Sequence, residues 1–125
     1  MGLPAPSEKA VVLIVEDEFL IRMCAEGMVE EAGFRPISAS NADEALRLLE
    51  SRNDIRAVFT DIRMPGSLDG LRLAHLVRNR WPPVALLVTS GHEDLTSVDL
   101  PRGGRFLRKP YIPAQVGAAL RELIC

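Results

Sequence analysis

Three short apolar runs punctuate the chain: Val11-Val12-Leu13-Ile14-Val15, Ala57-Val58-Phe59-Thr60 and Val84-Ala85-Leu86-Leu87-Val88. None alternates polar with apolar, so each predicts a strand buried on both faces, as in a parallel sheet. Phe34 to Ser38 and Arg105 to Leu107 are weaker strand candidates. Between the runs the spacing is helical. Leu20, Met23, Cys24, Gly27 and Met28 recur at three- and four-residue steps, and Gly33 follows where a helix would end. Asn41 and Glu44 make a capping pair ahead of a stripe of Ala42, Ala45, Leu46 and Leu49. Asp69 precedes a helix carrying Leu73, Leu76 and Val77, which stops before Pro82-Pro83. His92 to Leu100 has only Leu95 and Val98 at helical spacing. Pro113 suits the first turn of a last helix, whose buried face is Val116, Ala119, Leu120, Leu123 and Ile124.

Five strands alternating with five helices imply right-handed crossovers and a sheet covered on both faces. The expected class is α/β: a flavodoxin-like, doubly wound, five-stranded parallel sheet of order 2-1-3-4-5. Residues 1–9, with two prolines, read as a mobile leader, and 10–125 as one domain. The 125 residues, 47% of them hydrophobic, suffice for one core but not for two domains. A net charge of −2, from fifteen basic and seventeen acidic residues, leaves no cationic field to capture nucleic acid or anionic membrane. Cys24 and Cys125 are expected as free thiols in a reducing compartment. No apolar stretch approaches the roughly 20 residues that span a bilayer, and no secretory signal or myristoylation motif opens the chain. The expected location is the cytoplasm.

In this fold ligands bind beyond the carboxyl ends of the strands, so the residues that end the strands matter most. Strand one ends in Glu16-Asp17, strand three in Asp61, strand four in Thr89-Ser90 and strand five in Lys109-Pro110. With strands one and three adjacent, three carboxylates are expected to converge. Like charges so placed raise one another's pKa unless a cation neutralises them. Carboxylate oxygens open to water suit Mg²⁺ better than zinc, and no Cys or His cluster competes for a softer metal. Lys109 adds a point charge that can pair with a carboxylate or a phosphoryl oxygen. Each residue alone has a structural explanation: a helix start, a turn, a strand end, a solvated surface. Four separate strands each donating one such group do not share one.

The segments Val11 to Asp17, Thr60-Asp61-Ile62-Arg63-Met64-Pro65, Asp69-Gly70, Val88-Thr89-Ser90-Gly91 and Phe106-Leu107-Arg108-Lys109-Pro110-Tyr111 resemble the receiver domain of two-component response regulators. The likeness runs from about Ala10 to the C-terminus in the family's order. It implies that Asp61 is the phospho-acceptor, taking a phosphoryl group from a sensor histidine kinase or a histidine phosphotransfer protein. It implies Mg²⁺, or Mn²⁺ in its place, held by Asp17, Asp61 and the Arg63 backbone carbonyl, with Glu16 acting through water. Thr89 and Lys109 would bind phosphoryl oxygens, and the Lys109–Pro110 bond would be cis. Thr89 and Phe106 would form the switch, reshaping the face made of the fourth helix, fifth strand and fifth helix for an unknown downstream protein or for a homodimer. Arg63 and Gly91 occupy positions that tune decay of the phosphorylated state. Such a domain is a signalling device with intrinsic self-dephosphorylation rather than an enzyme, and it binds neither nucleic acid nor membrane.

Glu16 stands where the family more often has Asp, lengthening that arm by one methylene. Gly66-Ser67-Leu68 is one residue longer than the usual link to Asp69-Gly70. The chain ends just after the fifth helix, giving the expectation of a stand-alone, chemotaxis-type receiver. A Mg²⁺-dependent phosphohydrolase would want a second acid two residues after the nucleophile, where Arg63 stands. A degenerate receiver would lack required groups, and none is missing. Nucleotide binding would need a Gly-rich turn after strand one, where Glu16-Asp17-Glu18 stands instead. Arg102, Arg105 and Arg108 read as charge that blunts an edge strand, or else as a seat for an acidic partner. His75 is expected on the solvent side of its helix, and Tyr111 and Trp81 as packing residues.

Overall fold

The computed structural model describes residues 9–62, 69–90 and 100–124. Nine elements follow one another: β1 (Val11–Val15), α1 (Phe19–Glu31), β2 (Arg35–Ala39), α2 (Ala42–Ser51), β3 (Ile55–Asp61), α3 (Gly70–Arg80), β4 (Ala85–Ser90), β5 (Arg105–Arg108) and α4 (Pro113–Ile124). The strands form one parallel sheet of order β2-β1-β3-β4-β5. This is the doubly wound arrangement that the apolar runs imply. Four helices lie among the described residues. The expected helix at 92–100 falls almost wholly on residues outside them, so α4 is the last of the five that the pattern predicts.

Every residue of β1 is buried, because the sheet is covered on both sides. Val11, Leu13 and Val15 pack with Val58, Leu86, Leu73 and Val77 on the side of α2 and α3. Val12 and Ile14 pack with Phe59, Leu87, Val29 and Leu120 on the side of α1 and α4. With no aqueous face on either side, the central strands β1 and β4 read as apolar runs, whereas the edge strands β2 and β5 are only partly buried and carry polar residues.

Local chemistry fixes the helix ends. Asn41 Oδ1 accepts from the Glu44 N–H at 2.8 Å, and Glu44 Oε1 accepts from the Ser40 N–H at 2.6 Å, a reciprocal cap shifted by one residue. Asp69 Oδ1 caps α3 by accepting from the Arg72 N–H at 2.9 Å. At the end of α1, Gly33 takes φ +96° while Phe34 N–H bonds to Val29 O and Gly33 N–H to Glu30 O. That pairing is the left-handed glycine terminator expected of Gly33.

Two expectations need correction. β3 starts at Ile55, two residues before the apolar run, because Ile55 is buried in the core while Arg56 between it and Ala57 points outward and breaks the pattern. The predicted stripe of α1 is not its buried face. Ala25 and Val29 are buried, whereas Leu20 and Met23 are 73% and 50% exposed and Cys24 is exposed. Apart from the side carrying Arg22, Glu26 and Glu30 the helix is apolar, a band too broad for periodicity alone to choose which stripe meets the sheet. Among the described residues no helix is long and apolar enough to cross a membrane.

Candidate functional site

The carboxyl ends of β1, β3, β4 and β5 meet at one edge of the sheet. Glu16 leaves β1 with its N–H bonded to Ala39 O at 3.1 Å, which directs the chain past the end of β2. Its side chain turns inward and is only 6% exposed, with Oε2 accepting from the Glu18 N–H at 3.1 Å. Arg22, one turn into α1, donates from Nη1 to the Glu16 carbonyl at 2.9 Å and so pins this turn. Asp17 is exposed beside it.

Asp61 closes β3, and its register partner across β3 and β4 is Thr89, which is 2% exposed. Thr60 Oγ1 donates to the Asp61 carbonyl at 2.9 Å, and the Ile62 N–H donates to Thr89 O at 2.9 Å. Gly70 presses on the same backbone. A Cβ there would stand 1.7 Å from the Asp61 carbonyl oxygen, so only glycine lets α3 begin so close. Lys109 follows β5, with its N–H on Ser90 O at 2.9 Å, and the Lys109–Pro110 peptide bond is cis. Its ammonium donates to Asp61 Oδ2 at 2.8 Å, with side-chain exposures of 26% for Lys109 and 13% for Asp61.

Burial pushes the Glu16 carboxyl up from 4.5 to about 7. A hydrogen bond with Asp17 and the charge of Asp61 push the same way, against the Glu18 N–H and Lys109. Tyr111, two residues past Lys109, packs its ring on Phe59 at 5.8 Å between centroids and 56° between planes. Burial, with the charges of Glu16 and Asp61, pushes its hydroxyl up to about 12.

The donor set is oxygen-only, with two acidic neighbours that hold Glu16 toward its neutral form. That is the chemistry a hard divalent cation relieves. Among the described residues no group of three or more His, Cys, Asp or Glu stands ready to hold a metal ion. The expected convergence of three carboxylates is therefore looser than a closed cage. An ion here would take Asp17 and Asp61 and complete its shell with backbone, water or phosphoryl oxygens, as Mg²⁺ ordinarily does. The Arg63 carbonyl is the expected backbone donor, but Arg63 lies outside the described residues, as do Gly91 and His92.

Glu16, Asp61, Thr89 and Lys109 are thus at one edge, with Asp17 on its rim. Phe106 is half-buried, in register with Val88, and packs with the α2–α3 side of the core. His75 is exposed on α3. Arg105, on edge strand β5, pairs with Glu122 of α4. Sequence reading passed over three contributors: Arg22, Gly70 as a point of contact with Asp61, and Tyr111 as a wall of the site. Only Gly70 left a trace, since a glycine just after a helix cap is a poor helix former placed where space decides.

The model of the response regulator receiver domain matches residues 12–121. An NtrX-like response regulator of Rickettsia felis is 35% identical over 104 residues, covering 80% of this chain and 22% of that one. The hydrogenase transcriptional regulatory protein HoxA of Cupriavidus necator is 32% identical over 123 residues, covering 94% and 24%. The chain therefore spans only about a fifth to a quarter of the length of these curated relatives. The crystal structure of a response regulator receiver protein from Sinorhizobium medicae superposes with a TM-score of 0.87 at 28% identity, covering 94% of this chain and 96% of that one. The fold, the strand-end residues and these likenesses agree, and the chain belongs to the response regulator receiver domains of two-component systems.

Proposed function

We propose that this domain accepts a phosphoryl group on Asp61 from the phosphohistidine of a sensor histidine kinase or a histidine phosphotransfer protein. The observation that carries this reading is the Lys109 ammonium on Asp61 Oδ2 at 2.8 Å, at the one strand end flanked by Glu16 and Thr89. An Asp61 oxygen attacks phosphorus, the P–N bond breaks, and the imidazole leaves with the electron pair. No general base is needed, because a carboxylate attacks without losing a proton. Lys109 pairs with charge growing on a phosphoryl oxygen, and the Thr89 hydroxyl donates to another. Asp17 and Asp61, with Glu16 acting through water, would hold Mg²⁺, which when bound would supply further neutralisation of that charge. Water attacking phosphorus later releases phosphate and restores the carboxylate, so the signal decays by itself.

Four large apolar side chains support a protein donor. Phe19, Leu20 and Met23 open α1 directly after the acidic turn, Ile112 follows Tyr111, and they are 61%, 73%, 50% and 57% exposed. For the output, Thr89 moves toward the phosphoryl group, Phe106 turns inward behind it, and the surface around β5 and α4 changes for a downstream protein or a second copy. Incubation with acetyl phosphate and Mg²⁺ tests the acceptor. A labile, single-phosphoryl mass gain is expected, and its absence in Asp61→Asn. Steady release of phosphate from many monoesters without a covalent adduct would overturn the reading.

A further inference from the structure

Two hollows lie on either side of one ring. Outside, a hollow of about 580 Å³ opens between α1, at Leu20, Ile21, Cys24 and Met28, and the segment Lys109 to Tyr111. On the side of the site, a small cleft of about 10 Å³, scarcely enough for one water, is lined by Glu16, Asp61, Thr89 and Phe59. Among the described residues Tyr111 is the one that lines both. The same ring rests on Phe59. Phe59 stands two residues before Asp61 on β3, hence on the same face of the sheet, and Tyr111 stands two residues after Lys109. The ring contact therefore runs beside the ion pair and ties together the same two segments.

From this we infer that Tyr111 is the positioning residue of Lys109. Its ring, seated on Phe59, fixes the end of β5 so that the ammonium meets Asp61, and it walls the underside of the site from the hollow beside α1. The reaction half of this inference rests on Asp61 being the acceptor. The ring carries the role and the hydroxyl does not, because the contact with Phe59 is made through the ring faces and edges. A ring lost here frees the segment bearing Lys109, and a displacement of an ångström in a group that must meet developing charge is costly.

The experiment compares Tyr111→Ala, Tyr111→Leu and Tyr111→Phe with the parent in two readouts, with thermal melts establishing that each variant is folded. The first is the rate at which an amine-acylating reagent labels Lys109, read by mass spectrometry against Lys9, the only other lysine. Labelling of Lys109 is expected to rise severalfold in Tyr111→Ala and Tyr111→Leu and to stay at the parent's rate in Tyr111→Phe. The second is phosphorylation by acetyl phosphate and Mg²⁺, expected to slow by about tenfold or more in the first two variants and to recover with Phe. In a Lys109→Ala background the Tyr111→Ala change is expected to slow the reaction no further, since its effect passes through Lys109. Unchanged labelling in the folded Ala and Leu variants overturns the inference, as does a full additional slowing without Lys109. A parent that takes no phosphoryl group overturns the acceptor reading alone, and labelling still decides the role of Tyr111.

Discussion

At the carboxyl edge of the sheet Lys109 meets Asp61 at 2.8 Å with exposures of 26% and 13%, while at the amino edge Arg80 meets Glu50 at 2.9 Å with 48% and 51%. Arg52 and Asp54 add a second amino-edge pair through two bonds of 2.8 and 2.7 Å. The amino edge also holds the larger hollow, about 870 Å³ between the ends of α2 and α3, with Trp81 under the Arg80 guanidinium at 4.6 Å. Yet its charges are solvated and each acid has its own base. Arg52 holds the Asp54 carboxyl below its usual range. At the carboxyl edge one lysine serves a nest of acids, and burial holds Glu16 up at about 7. Contact distance is nearly the same at the two edges, and the larger hollow lies at the one without the acidic nest, so neither marks the site. Dehydration and an excess of carboxylate do.

That contrast can be broken most directly at Lys109. Lys109→Ala is expected to slow phosphorylation by acetyl phosphate by about 10²-fold or more, as loss of a charge aimed at a transition state does. Rate constants from time courses of the phosphorylated mass check it. Gly70→Ala comes next: its methyl must displace the Asp61 backbone, at a cost of about 2–3 kcal/mol in urea unfolding, with slower phosphorylation besides.

The third test uses pH on metal-free protein. Because the Glu16 carboxyl is raised in the folded state, that state binds more protons than the unfolded chain between 4.5 and about 7. Stability from this group is therefore lost as pH rises through that window, by on the order of 3 kcal/mol. Urea midpoints in EDTA at about pH 5 and about pH 8 are expected to fall more for the parent than for Glu16→Gln, which has nothing to titrate. The smallest effect belongs to the other edge. Arg80→Ala and Arg52→Ala are expected to change stability by about 0.5 kcal/mol or less and the phosphorylation rate not at all.

Much of this was legible in the chain. β1 and β4 are visible because a strand with no aqueous face must be apolar throughout, and Asn41, Asp69, Gly33 and Pro113 mark helix ends through bonds made within a few residues. Glu16, Asp61, Thr89 and Lys109 were identifiable as strand-end groups, since a parallel sheet gathers all its carboxyl ends on one edge. The buried face of the first helix was not legible in this way. Its apolar band is broader than the face the sheet covers, and contact with Val12, Ile14 and Phe59 selected Ala25 and Val29 over Leu20 and Met23.

The order of residues alone determined the alternation of strands and helices, their caps, and which polar groups stand where strands end. All of these depend on neighbours a few positions away. Only the folded structure decided that Glu16 is dehydrated, that Gly70 touches the Asp61 backbone, and that Tyr111 rests on Phe59 beside the Lys109–Asp61 pair. Those contacts join residues far apart in sequence, and their energies come from excluded water and close packing, which no local pattern records.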